Sequence, residues 1–402
     1  MEIEQGELGE IWFCKMEDKS IEDLTAQFRR ISENKYNIPE RLDTSPKKKK
    51  FGYFCTYFPV EIVHAAGMLP VRILGERKRL LYVDAYLPSF GCSFVRTALE
   101  LGLDGTLNYL SGVGFSHTCD SIQVLSGIWG KVIKGQFVTN IIFPAKLDEP
   151  ESHRFLVKEL QLFKKRLEEY LGVSIKEEQL WEGIHVFEKK RKLLEDLYQW
   201  RRKHPGILKG SDILNAVNSG MLMEPEEHNE LLEQLLFDLS RKDTPKHKTD
   251  KFAKVVLAGN ICAFPDIIDL IEDSGALVVD DNLCTGSRSF LRSGNRSESQ
   301  EEKDALSYIS RIYLNKFSCP VKYNSQVKRD DTLLSIVENG KADGVIFLLL
   351  RLCDPYSYDY TFLKKALDKR GYPSLVIEYE QQTESFDQIQ TRVEAFVESI
   401  KN

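Results

Sequence analysis

Phe51-Gly-Tyr-Phe-Cys-Thr56, Pro59-Val-Glu-Ile-Val-His-Ala-Ala66 and Met68-Leu-Pro-Val-Arg-Ile73 follow one another with almost no spacer. The outer two are short apolar runs with Gly or Pro at their ends, the pattern of buried strands. The middle one opens with Pro at a first helical turn. Strand, helix, strand in this order predicts parallel pairing, because a helix has to carry the chain back to the same end of the sheet. The rhythm continues through a helix at Phe94–Leu101 halted by Gly102, and strands at Gly112–Phe115 and Phe137–Phe143.

It returns from residue 252. Ala253-Lys-Val-Val-Leu-Ala-Gly259 reads as a strand, Phe264–Glu272 as a helix and Ala276–Val279 as a strand. Gly344–Leu350, Tyr360–Lys369 and Ser374–Ile377 repeat the unit. Between the two blocks the period changes to 3.6: Phe155, Leu160, Phe163, Leu167 and Leu171 begin a stripe, Leu193, Leu194 and Leu197 continue it, and Glu226–Leu239 adds another helix. The expected fold is α/β, two doubly wound, Rossmann-like parallel-sheet domains with a helical insert. The expected boundaries are a helical lead-in over 1–46, with a turn of helix at Ile21–Phe28 ending near Pro39 and Pro46, a first α/β domain over 47–150, a helical domain over 151–250 and a second α/β domain over 251–402.

Composition narrows the function classes. The 402 residues are 29% charged and 42% hydrophobic, and 55 Lys and Arg against 61 Asp and Glu leave a net charge of −6. No basic surplus calls for nucleic acid, and Lys47–Lys50 lacks the aromatic support of such a patch, so it reads as a solvated linker. The acidic start Met1-Glu-Ile-Glu is unlike a secretory leader, and Val345–Leu350 is far short of a membrane span, so a cytoplasmic protein without a membrane partner is expected. Gly130-x-x-x-x-Gly135-Gln136-Phe137 lacks the Lys and hydroxyl of a P-loop. Gly259-Asn-Ile-Cys is no dinucleotide fingerprint, and neither H-E-x-x-H nor G-x-S-x-G occurs.

Eight cysteines stand at 14, 55, 92, 119, 262, 284, 319 and 353, too sparse for a disulfide scaffold and without a C-x-x-C. Cys119 and Cys353 follow predicted strands, and Cys92 immediately precedes a predicted helix. Ligands of open α/β sheets bind in such positions, and a helix N-terminus favours thiolate. Cys55, Cys262 and Cys284 lie in comparable turns, so position alone does not choose among the six.

The longer motifs carry a resemblance. Phe51–Arg72, Cys92-Ser-Phe-Val-Arg-Thr-Ala-Leu-Glu-Leu-Gly102, His117-Thr-Cys-Asp120, Asp280-Asp-Asn-Leu-Cys-Thr-Gly-Ser-Arg288, Cys353-Asp-Pro-Tyr-Ser-Tyr-Asp-Tyr360 and Gln390-Thr-Arg-Val-Glu-Ala-Phe396 run in order over nearly the whole chain. Together they resemble the large subunits of 2-hydroxyacyl-CoA dehydratases and benzoyl-CoA reductases. The resemblance implies a 4Fe–4S cluster held by Cys92, Cys119 and Cys353, with one iron left for a non-protein ligand. It implies three partners: a homologous sister subunit in a heterodimer, a separate ATP-hydrolysing activator that supplies a low-potential electron, and an acyl-CoA substrate. In a dehydratase that electron would reduce the thioester carbonyl of a 2-hydroxyacyl-CoA to a ketyl radical that expels hydroxide. In a reductase it would enter an aromatic ring.

Glu61 is the candidate acid–base residue, with a helix-capping carboxylate as its plain alternative. His117 is a candidate proton donor or hydrogen-bond partner to the site, with a satisfied structural histidine as its plain alternative, and Arg288 and Arg392 are candidate contacts to CoA phosphates or else surface ion pairs. Two rival functions are an electron-relay or scaffold subunit, and a double-cubane reductase of small substrates. The second would need further cysteines between 92 and 119, and there are none.

Overall fold

A computed structural model describes residues 20–37, 48–242, 251–292, 302, 304–316, 319–383 and 386–401. Cys14, Pro39 and Pro46 lie outside the described residues. In chain order the elements are α1 (Ile21–Glu33), β1 (Lys50–Tyr53), α2 (Val60–Ala65), β2 (Leu69–Arg72), α3 (Ser93–Leu103), β3 (Leu110–His117), α4 (Asp120–Val132), β4 (Phe137–Ile142), α5 (Pro150–Leu171), α6 (Glu177–Lys203), α7 (Gly210–Ser219) and α8 (Pro225–Arg241). They continue as β5 (Ala253–Gly259), α9 (Asp266–Asp273), β6 (Ala276–Asn282), α10 (Ala305–Leu314), α11 (Arg329–Gly340), β7 (Gly344–Leu350), α12 (Asp354–Arg370), β8 (Ser374–Tyr379) and α13 (Asp387–Lys401).

The strands form two four-stranded sheets, ordered β2-β1-β3-β4 and β6-β5-β7-β8, with every pairing parallel. Each is thus laid out second, first, third, fourth in its own strand count, the expected doubly wound pattern. Strand order reverses between β1 and β3 in one sheet and between β5 and β7 in the other. Such reversal points open a crevice beyond the carboxyl ends of the strands.

Alternation along the strands builds the core. Val255 and Leu257 of β5 face an apolar cluster that also holds Val71, Leu99, Leu110 and Trp129 from the first sheet's layers. Val256 and Ala258 face away, into a separate cluster with α11 and α12. One continuous apolar layer therefore joins the two sheets, which ties their carboxyl edges to each other. β6 and β7 are buried along their whole length, as strands covered on both faces must be.

The helical block packs over both sheets. α6 meets α2 and α8 on one side. On the other, its Arg201 donates from Nε and Nη2 to Val278 O of β6 at 3.1 and 2.7 Å, and Arg202 Nε reaches Asp280 Oδ2 at 2.5 Å. The buried stripe of α5 is Leu156, Leu160, Phe163 and Leu167; Phe155, expected to start it, is exposed because it sits one residue off that face. α3 runs through Gly102 to Leu103, the glycine being where the indole of Trp129 lies against the helix. α4, α7, α10, α11 and α13 had no counterpart in the sequence periodicity.

Candidate functional site

Three helices start on cysteines. Cys92 is the N-cap of α3, Cys119 of α4 and Cys353 of α12, each without a capping side-chain bond of its own. α4 follows β3, and α12 follows β7 after a two-residue turn. Leu352, the last residue of that turn, is held at φ 62°, a left-handed conformation that costs a leucine on the order of 1–2 kcal/mol. That strained step sets Cys353 at the head of its helix.

The three thiols line one cavity between the sheets. Residues just past β1 (Cys55, Thr56), β3 (Thr118, Cys119), β5 (Asn260, Ile261), β6 (Cys284) and β7 (Cys353) contribute to its wall. The cavity therefore sits at both reversal points at once. Most of the remaining surface is apolar, from Phe54, Phe94, Val95, Ile122, Val321, Leu350 and Pro355. Asn260 laces the edge together. Its Oδ1 accepts from Leu350 N at 3.2 Å and its carbonyl accepts from Cys284 N at 2.9 Å, while its Nδ2 is buried without a hydrogen-bond partner.

Six of the seven described cysteines are on this wall: 55, 92, 119, 284, 319 and 353. Cys262 is not. It is fully buried behind Thr285, whose Oγ1 accepts from its backbone N–H at 3.0 Å. Burial pushes the thiols of Cys92 and Cys119 up to about 12 and that of Cys353 to about 11. They also act on one another, Cys353 on Cys92 and both on Cys119. Left to themselves these thiols stay protonated, and only a bound metal would make them thiolates.

Two buried guanidiniums complete the wall. Arg288 Nη2 donates to Gly259 O and, at 3.2 Å, to Cys284 Sγ, while its Nε has no partner; the Tyr356 ring lies 5.0 Å below it. Burial opposes the Arg288 charge, but Cys284 and Tyr356 outweigh it and hold the pKa above the usual value. Gly259 ends β5 at φ 148°, where a Cβ would fall 2.0 Å from Leu348 O, so no other residue fits there. Arg72, the last residue of β2, donates to Phe54 O and Cys284 O at 3.4 and 3.1 Å.

The donor set fits an iron–sulfur cluster. Three soft sulfurs converge on one cavity, three helix N-termini aim their amides at them, and two arginines offset anionic charge. Among the described residues, no three His, Cys, Asp or Glu groups are gathered around a single-ion position. A four-iron cube spreads its thiolates over separate corners, so it asks for a cavity with thiols around it.

Other candidates fall elsewhere. Glu61 is not brought to the thiols: it is fully buried in α2, paired with Arg191 of α6 and accepting from Tyr313 OH at 2.9 Å. His117 ends β3 but is not on the cavity wall. Arg288 is buried rather than at the surface, and Arg392 is on the outside, donating to Val376 O at 2.7 Å. The sequence reading passed over Arg72, Asn260 and Cys319. A basic residue closing a strand, and Asn directly after Gly259, were the available signals.

Comparisons with known proteins show the family. The 2-hydroxyglutaryl-CoA dehydratase D-component family matches residues 55–400. The (R)-phenyllactyl-CoA dehydratase beta subunit of Clostridium sporogenes is 28% identical over 375 residues, covering 93% of this chain and 97% of that one. A subunit of the benzoyl-CoA reductase of Thauera aromatica is 28% identical over 365 residues, 89% and 92% of the two chains. The (R)-2-hydroxyglutaryl-CoA dehydratase subunit beta of Acidaminococcus fermentans is 28% identical over 394 residues, 95% and 100% of the two. With a match of that extent, covering every strand but β1 and all three cysteines at helix starts, the chain belongs to the 2-hydroxyglutaryl-CoA dehydratase D-component family.

Proposed function

We propose that this chain is the iron–sulfur subunit of a cytoplasmic, oxygen-sensitive complex acting on CoA thioesters, by 2-hydroxyacyl-CoA dehydration or aromatic-ring reduction. Cys92, Cys119 and Cys353 hold its 4Fe–4S cluster, the complex is completed by a homologous sister subunit, and an ATP-hydrolysing activator delivers the electron. The observation that carries this reading is the convergence of three helix-capping thiols, drawn from both sheets, on one apolar cavity.

When bound, such a cluster supplies one-electron reduction and, at an iron without a protein ligand, a Lewis acid. The protein's own part is to hold and insulate. The N-terminal amides of α3, α4 and α12 face the sulfurs and stabilise their negative charge. Arg72 and Arg288 add fixed positive charge, and the buried, unpartnered amide nitrogen of Asn260 is a free donor on the same wall. Phe54, Phe94, Ile122 and Leu350 keep water away, which strengthens each of these interactions.

One specific feature favours the electron-relay form of this function. Among the described residues the cavity wall has no Asp, Glu or His, and Glu61 is committed to Arg191. Dehydration needs a group that moves a proton. In the relay form that group, and the substrate, belong to the sister subunit.

The test is anaerobic purification of the chain with its sister subunit, followed by iron and sulfide analysis and electron paramagnetic resonance. About four irons per chain are expected, with Cys92→Ser, Cys119→Ser and Cys353→Ser each losing most of them. Iron-free protein, or serine variants with unchanged iron and spectra, would overturn the assignment. Turnover of hydroxyacyl-CoA against aromatic acyl-CoA, with the activator present, then separates the two chemistries.

A further inference from the structure

A second cavity adjoins the first, and Thr56 and Arg72 line both. Its wall holds four cations that are all nine-tenths or more buried: Arg72, Lys190, Arg191 and Lys316. Among the described residues no carboxylate lines it.

Arg191 has its counter-charges behind the wall, in Glu61 and Glu188. Arg72 and Lys190 are met by neutral groups. Lys190 Nζ donates to Gly220 O at 2.6 Å and Lys316 Nζ to Ser289 O at 3.0 Å. Arg72 divides its donors among two carbonyls and the Met221 sulfur, 3.2 Å away. Neither Arg72 nor Lys190 makes an ion pair among the described residues.

Lys190 Nζ also lies 4.8 Å from the centre of the Phe187 ring, but neither a carbonyl nor a ring neutralises a charge, so burying a cation against them is costly. Burial pulls the ammonium groups of Lys190 and Lys316 down to about 7, and at Lys316 the neighbouring Arg191 and Arg292 charges add to it. Glu226, Glu224 and Glu61 act on Lys190 without touching it, while Arg191 opposes its charge. The hydroxyls of Thr56, Ser289 and Tyr313 are on the same wall. A planar guanidinium, two ammonium groups and neutral hydroxyls around a small space form the donor set that binds an oxyanion.

We propose that this chamber is an oxyanion-binding site, taking the carboxylate or phosphate group of a small molecule between Arg72, Lys190 and Lys316. The site does not depend on what the neighbouring thiols hold.

The experiment is calorimetric titration and thermal unfolding of the full chain, under reducing anaerobic conditions, with inorganic phosphate, acetate and glutarate. Chloride at equal ionic strength is the control. At least one oxyanion is expected to bind saturably at a single site and raise Tm. Preference for phosphate assigns the phosphate source and preference for glutarate or acetate the carboxylate source. Lys190→Met should weaken that binding at least tenfold, Lys190→Arg should largely restore it, and Lys316→Met serves as an independent second variant. No saturable binding of any of the three, or equal binding by wild type, Lys190→Met and Lys316→Met, would overturn the proposal.

Discussion

Gln381, two residues past β8, is buried against Thr97 on α3, the helix that Cys92 caps: Thr97 Oγ1 donates to Gln381 Oε1. The same side chain donates from Nε2 to Leu74 O at 2.8 Å, and its backbone N–H donates to Ser93 Oγ at 3.1 Å. The end of the second sheet is thereby pinned to the helix that carries a thiol of the first. Registration of Cys353 with Cys92 depends on this junction.

Gln381→Ala should therefore cost about 2–3 kcal/mol, the loss of two buried side-chain bonds with Leu74 O left unpaired. Urea unfolding measures it. Iron retention after gel filtration should fall in the same variant, because the thiols would no longer be held in register.

The thiols divide by location. Cys262→Ala, outside the cavity, should cost about 1 kcal/mol of packing and leave iron content unchanged. Loss of iron in Cys262→Ala would mean that the cavity wall does not define the ligand set.

Glu61 and Arg191 form a buried pair, with Tyr313 on the second carboxylate oxygen. Glu61→Gln should lower stability by about 3 kcal/mol, since it leaves a buried guanidinium short of charge compensation. Denaturant midpoints decide the matter. An unchanged midpoint together with lost turnover would return Glu61 to the role of proton-transfer residue.

His228 sets an acid limit. It is fully buried; Nε2 donates to Ala216 O at 2.8 Å and Nδ1 has no partner. Burial and then the Lys190 charge lower its pKa to about 3. The unfolded chain takes up a proton near 6.5 that the folded chain refuses, so the stabilising contribution is complete above about 6.5 and is lost as pH falls from there toward 3. The slope approaches ~1.4 kcal/mol per pH unit inside that window. His228→Gln, which retains a donor for Ala216 O, should flatten the stability profile between pH 6.5 and 4 relative to wild type.

Strand–helix alternation read from residues 51–73 and 252–279 was sufficient for two parallel sheets, because period and punctuation are local properties. The same is true of the motifs around Cys92, Cys119 and Cys353. α4 and α12 escaped in whole or in part because their starts are Cys-Asp rather than a familiar cap, and Phe155 was misplaced because a stripe shifted by one residue has nearly the same period. Burial and partners were not legible. Glu61 follows Pro59 as a first-turn carboxylate would, and only the arrival of α6 from 130 residues away makes it half of an ion pair.

The sequence by itself determined which elements form and which cysteines stand at their ends, since hydrophobic period, turns and motif order reside in neighbouring residues. Tertiary structure alone decided that six thiols share one cavity and that Arg72, Lys190, Arg191 and Lys316 share another. Those gatherings are long-range: they arise where two sheets, joined by one apolar layer, bring their carboxyl edges together, and no local pattern encodes that distance.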